Sequence, residues 1–226
     1  MLTFKLRSFL TASICFLALA ESAISQVRLT VVDQYNSPLA NAVIDYESSI
    51  SAKPSTLEKP STVEPIYIMD QVDKQFSPSV LIIPENGLVS FPNSDDIRHH
   101  VYSFSEAKTF ELKLYAGKPK SPLHFNKRGL VVMGCNIHDS MVGYIYVTDS
   151  KNTVMSDDKG QVLLAPDLPL NTELQVWHPS SSIGLSNHTR LIIDQAILDK
   201  GEITLVITTN EPEPRDSFEE LNVDEY

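Results

Sequence analysis

The chain is 226 residues long and 42% hydrophobic, enough for one large or two small domains with an apolar core. Its formal charge of −11, from 18 basic and 29 acidic side chains, sets nucleic acid aside as a partner, because phosphate binding draws on clustered Lys and Arg.

The first segment reads as an export signal. Lys5 and Arg7 precede a mostly apolar run at 9–20, and Ala23 and Ser25 supply the small residues of a cleavage site before Gln26. The apolar run is shorter than the roughly 20 residues a membrane span requires, so residues 1–25 are expected to be removed rather than to anchor the chain. A lipid on Cys15 is disfavoured by Ile14, where a small residue would be needed. Cleavage leaves Cys135 alone in an oxidising compartment with no disulfide partner. Its remaining roles are metal ligand, nucleophile or plain buried residue.

After the signal, helical periodicity is hard to find, and short apolar or alternating runs bounded by turn residues follow one another. Strands are predicted at 27–32 and 42–46, then at 66–69, 80–83, 88–91, 100–104, 110–114, 129–134 and 142–147. Four more fall at 162–165, 173–177, 189–193 and 203–208. Fourteen prolines fit a strand-and-turn protein better than a helical one, so the fold class is all-β. Residues 48–64, rich in Ser, Thr, Lys and Pro, read as a linker, and Asp157-Asp158-Lys159-Gly160 reads as a hairpin turn. A central domain is therefore expected at 64–149. The flanks at 26–50 and 150–209 would not bury their apolar faces singly, and are expected to pair into one sandwich around it; the alternative is that 27–46 adds strands to the central domain. Residues 210–226 carry seven acids against Arg215 with no apolar period, and read as a disordered acidic tail.

The chemistry is concentrated in Gly134-Cys135-Asn136-Ile137-His138-Asp139-Ser140-Met141, where a thiolate, an imidazole and a thioether fall within seven residues. All three are soft or borderline metal ligands, and the run is expected to be a loop between two strands. A second imidazole is available upstream at His99-His100. Two His and one Cys with a weak axial Met form a copper set; zinc more often recruits Cys and His in close pairs and gains little from Met. A nucleophilic Cys–His pair is a rival use, but it lacks an identifiable orienting group and oxyanion site. His124, His178 and His188 are assigned no metal role, and Trp177 is expected in the core of the flanking sandwich.

These residues resemble the cupredoxins, in which one His comes from an early strand and Cys, His and Met come from a late loop; the Cys-x-x-His-x-x-Met spacing is similar to the amicyanin subgroup. Upstream, Phe76-Ser77-Pro78 and Val89-Ser90-Phe91-Pro92-Asn93 resemble the approach to the first ligand. Taken whole, the chain looks like sequences labelled methylamine utilisation protein. The segment Val31-Val32-Asp33-Gln34-Tyr35-Asn36-Ser37-Pro38 and the later strands of the flanks are similar to carboxypeptidase-regulatory-like or prealbumin-like sandwiches. The resemblance implies a cupredoxin-like Greek-key β-sandwich plus a second small β-sandwich, with one type 1 copper ion held by His99, Cys135, His138 and Met141. Alignment from Phe91 and Asn93 favours His99, while Phe104 would suit an inward series containing His100. His100 stands where Asn usually braces the ligand loop, and Asp139 and Ser140 replace apolar residues around the exposed His. The implied function is a one-electron carrier, not an enzyme, in the periplasm of a Gram-negative bacterium with a redox protein as partner. Copper delivery without fast redox cycling, or a ligand-binding β module with a structural metal, are the alternatives.

Overall fold

The structure is a computed structural model that describes residues 26–47, 65–118, 121–166 and 168–210. The expected signal, the linker at 48–64 and the tail from 211 onward lie outside the described residues. Among the described residues, no helix is long and apolar enough to cross a membrane.

The architecture is all-β in two sandwiches, as expected. The chain begins with β1 (Arg28–Val32) and β2 (Val43–Tyr46). It continues through β3 (Ile66–Ile68), β4 (Asp70–Val72), β5 (Gln75–Ser77), β6 (Val80–Pro84), β7 (Gly87–Ser90), β8 (His99–Ser105), β9 (Lys108–Tyr115), β10 (Leu123–Phe125), β11 (Gly129–Cys135) and β12 (His138–Thr148). It closes with β13 (Val154–Met155), β14 (Gln161–Leu163), β15 (Glu173–Trp177), β16 (Thr189–Ile192), helix α1 (Gln195–Lys200) and β17 (Glu202–Val206).

The central sandwich lays a five-stranded sheet, in the order β6-β12-β11-β8-β9, against a three-stranded one, β10-β7-β3. Its core follows the period of two. Strand β11 turns Val131, Met133 and Cys135 inward, β8 turns His99, Val101 and Ser103 inward, and β12 turns Met141, Ile145 and Val147 inward. Full burial of each such Val, Ile or Met side chain contributes about 1.5–3 kcal/mol. Phe76, Phe91 and Phe125 fill the space between the sheets.

In the flanking sandwich, β1 pairs antiparallel with β14 and parallel with β17, while β2 pairs with β13 and β15. Strands from either side of the central residues therefore share sheets, around an aliphatic core of Leu29, Val31, Ile44, Leu164, Leu174 and Val176. The two sandwiches meet at a seam where Val43 and Trp177 pack on Val80 and Tyr146. Trp177 thus belongs to the seam and not to the flanking core: its ring meets Tyr144 at 5.4 Å and its Nε1–H donates to Leu185 O at 3.0 Å.

Five short elements were not legible in the residue pattern. Helix α1 is only six residues long, held by Asp194, whose side chain accepts from Ile197 N–H, and by Gly201 in the left-handed region. Strands β4, β5 and β10 have three residues each and β13 two, too few to establish a period. The β4–β5 turn uses Asp73 and Lys74, both at positive φ, where Asn-Gly would have announced it.

Candidate metal centre

His99 opens β8, Cys135 closes β11 and His138 opens β12, so the three sit at one end of the five-stranded sheet. The register that joins β8 to β11 pairs Val101 with Cys135. His99, two residues from Val101, therefore faces the same interior as the thiol. His99 is fully buried, Cys135 is buried and His138 is half-buried.

Both imidazoles present the same nitrogen to the thiol. His99 Nδ1 lies 3.6 Å and His138 Nδ1 3.7 Å from Cys135 Sγ. Metal bonds of about 2.0–2.1 Å to nitrogen and about 2.3 Å to sulfur, opening at about 110–120°, produce N···S separations of about 3.6–3.8 Å. The spacing is that of three ligands of a single ion, and two imidazole nitrogens converge on one sulfur at nearly equal distances, as a shared ion requires. Among the described residues, these are the His, Cys, Asp and Glu side chains whose ligand atoms converge in this way, all within 4.8 Å of one another.

The local backbone differs from the loop expected between 134 and 142. Strand β11 runs through Cys135, β12 starts at His138, and only Asn136 and Ile137 turn between them. The register steps from Gly134↔Val142 to Cys135↔His138, leaving Asp139, Ser140 and Met141 as a bulge in β12. That bulge turns His138 toward the thiol while Met141 stays in the inward series of its strand. Met141 is buried in the same core cluster as Cys135. Asp139 and Ser140 are exposed beside it, and Ile137 is 47% exposed.

His100 points away from this group. Its Nε2 meets Glu111 Oε1 at 2.8 Å on the outer face, and Phe104 is exposed with it. The bracing sought from residue 100 comes from its backbone: His100 O accepts from Asn136 N–H at 3.0 Å.

Asp95 joins the site as a partner of His99. Its Oδ2 lies 2.6 Å from His99 Nε2, while the backbone N–H groups of Asp73 and Lys74 donate to the same carboxylate. Burial raises this carboxyl, but the hydrogen bonds from Lys74, His99 and Asp73 outweigh it and hold Asp95 below the usual carboxylate range. In the sequence its only signal was an acid four residues before a His, and on an irregular segment that spacing has no fixed geometry. Beneath the site, burial pushes the Tyr115 phenol up to about 12 against the hydrogen bond from Gln71, with the charges of Asp70 and Cys135 adding to the rise. Tyr115 therefore stays neutral and donates to Phe91 O at 2.8 Å.

No protein-family model matches the chain, and no curated protein matches it. Solved structures do. A copper-containing nitrite reductase from Thermus scotoductus SA-01 is 25% identical, with a TM-score of 0.37 over 43% of this chain and 25% of that one. The chain thus spans a quarter of that protein's length. An oxidised amicyanin variant is 17% identical, with a TM-score of 0.33 over 37% of this chain and 82% of that one. A purple cupredoxin from Nitrosopumilus maritimus is 21% identical, with a TM-score of 0.32 over 38% of this chain and 100% of that one.

Proposed function

We propose that the protein binds one copper ion of type 1 character at His99, Cys135, His138 and Met141 and carries single electrons in the periplasm. The observation that carries this reading is the convergence of two imidazole Nδ1 atoms on one unpaired, buried thiol, at separations of 3.6 and 3.7 Å. Two imidazoles and a thiolate with a thioether in reserve are the donors that suit copper.

Copper bound there supplies one-electron redox chemistry. The chain's contribution is rigidity and insulation. His99 is fixed by Asp95 and by burial, and Cys135 is fixed by the β8–β11–β12 ladder, so the donors move little when the charge changes. Met141, buried in the same cluster, would be the fourth and weakest donor, and burial in that cluster keeps water from the thiol of Cys135. His138 is the partly exposed ligand and serves as the port through which a redox partner exchanges electrons. With four protein donors no position is open for substrate, so the protein is a carrier and not an enzyme. Export rests on the signal features of residues 1–25.

Voltammetry of the copper-loaded protein tests the carrier role: a reversible one-electron wave, lost in Cys135→Ser, is expected. Tight Cu(I) binding with slow electron exchange and ready transfer of the metal to another protein would instead make this a copper-delivery protein.

A further inference from the structure

We propose that Asp95 is a positioning residue for the metal centre, fixing the tautomer of His99 from a clamp made by the β4–β5 turn. This rests on the copper reading above. The Asp95 carboxylate faces three donors: Oδ1 accepts from Asp73 N–H at 2.6 Å, and Oδ2 accepts from Lys74 N–H at 3.0 Å and meets His99 Nε2 at 2.6 Å. Asp73 and Lys74 stand at φ 52° and 60°, and consecutive positive φ values turn both N–H groups to one side of the hairpin. The segment bearing Asp95 is tied down as well. Asp95 N–H donates to Asn93 Oδ1, and Asn93 Nδ2 donates to Ile97 O and Tyr115 O. The carboxylate is therefore held from the turn on one side and from the core on the other.

An ionised carboxylate only accepts hydrogen bonds, so the proton on the facing nitrogen must belong to His99. In the neutral ring that a metal ligand requires, protonation at Nε2 leaves the lone pair on Nδ1, and Nδ1 is the atom that faces Cys135 Sγ. The contact also makes the imidazole a stronger donor and locks the plane of its ring. The hairpin β4–β5, which carries none of the four proposed ligands, thereby sets the orientation of one of them.

Asp95→Asn isolates this role, because an amide has one acceptor oxygen and an NH2 where three donors converge, so one donor is left facing another. The expected result is a copper affinity roughly 10–100-fold lower than that of the wild-type protein, with a higher reduction potential, while the metal-free variant still unfolds cooperatively. A second measurement needs no substitution: long-range ¹H–¹⁵N NMR of the metal-free wild-type protein is expected to find His99 as the Nε2–H tautomer. Wild-type affinity and potential in Asp95→Asn, or an Nδ1–H tautomer in the wild-type protein, overturns the positioning role and leaves the copper reading standing. A wild-type protein that binds no copper overturns the copper reading, and the NMR tautomer then still decides what Asp95 does to His99. If Asp95→Asn fails to fold, the tautomer alone settles the matter.

Discussion

Strand β1 of the flanking sandwich turns Leu29 and Val31 inward; strand β8 of the central one turns His99, Val101 and Ser103 inward. Both obey the same alternation, and both bury about half of their residues. The difference is that the flanking core is closed by aliphatic packing, whereas the central core admits an imidazole, a thiol and a hydroxyl at positions where Val or Leu would pack. A strand supplies fixed directions at fixed spacing, and whether those directions build stability or chemistry depends on the side chain placed there. In the central sandwich the imidazole and the thiol gather at one end, where β8 begins and β11 ends, while Ser103 lies farther along β8. Below them Val131, Met133, Ile145 and Val147 form an ordinary core.

Substitutions separate the two roles, and the largest effects are expected where each region is most specialised. Cys135→Ser is expected to abolish copper colour and lower copper affinity by orders of magnitude while leaving the metal-free fold intact, as copper titration and thermal melting will show. Leu174→Ala, in the flanking core, is expected to do the reverse: it costs about 2–5 kcal/mol in urea unfolding and leaves the spectrum of the copper-loaded protein unchanged. If Leu174→Ala shifted that spectrum, the two regions would not be separable.

Glycine replacements make a smaller version of the comparison. An added Cβ at Gly143 would lie 2.8 Å from the Phe76 ring, inside the central core, and one at Gly160 would lie 2.3 Å from Val31 O in the flanking sandwich, at a φ of +71°. Gly143→Ala is expected to cost about 1–3 kcal/mol by overpacking. Gly160→Ala is expected to exceed it, since it opposes backbone and strains φ as well. Equal midpoints for the two variants in urea would contradict this ordering.

Two histidines, on the flanking side and at the seam, make stability depend on pH near neutrality. Burial lowers the pKa of His178 against the hydrogen bond to Ala40 O, and burial likewise lowers that of His188, which meets Tyr146 at the seam. A histidine whose folded pKa lies below its unfolded value of about 6.5 takes up its proton more readily when unfolded. The stability it contributes is complete above about pH 6.5 and falls as pH drops toward the folded pKa. The urea midpoint is therefore expected to decline between pH 7.5 and 5; a midpoint that rose over that range would contradict the assignment. The smallest expected effect is that of Tyr146→Phe. It removes the bonds to Asp45 and His188 but leaves Asp45 its hydroxyl partners Thr148 and Thr153, at a cost of about 0.5–1.5 kcal/mol.

The long strands were legible as apolar runs bounded by turn residues: residues 129–134 and 142–147 are such runs, and β11 and β12 include both stretches. The run from Cys135 to Met141 stood out because a thiol, an imidazole and a thioether are chemically distinctive and close in sequence. The bulge that accommodates them was not, since Asp139-Ser140 reads equally well as loop, and the backbone keeps pairing where a loop was expected. Asp95 was invisible for a related reason. Its partners, Asp73 and Lys74, act through their backbone, and a backbone donor leaves no trace in residue type. Trp177 was misplaced because its inward alternation in β15 does not say which of two cores it enters; a partner surface on β6 and β12 decided that.

The most direct test of the copper assignment is the visible and EPR spectrum of the purified protein, without residues 1–25, after addition of one equivalent of Cu(II). An intense thiolate-to-copper absorption, with EPR of a single copper site and both signals absent from Cys135→Ser, is the expected result. A colourless protein whose Cys135 still reacts as a free thiol in the presence of copper would contradict it.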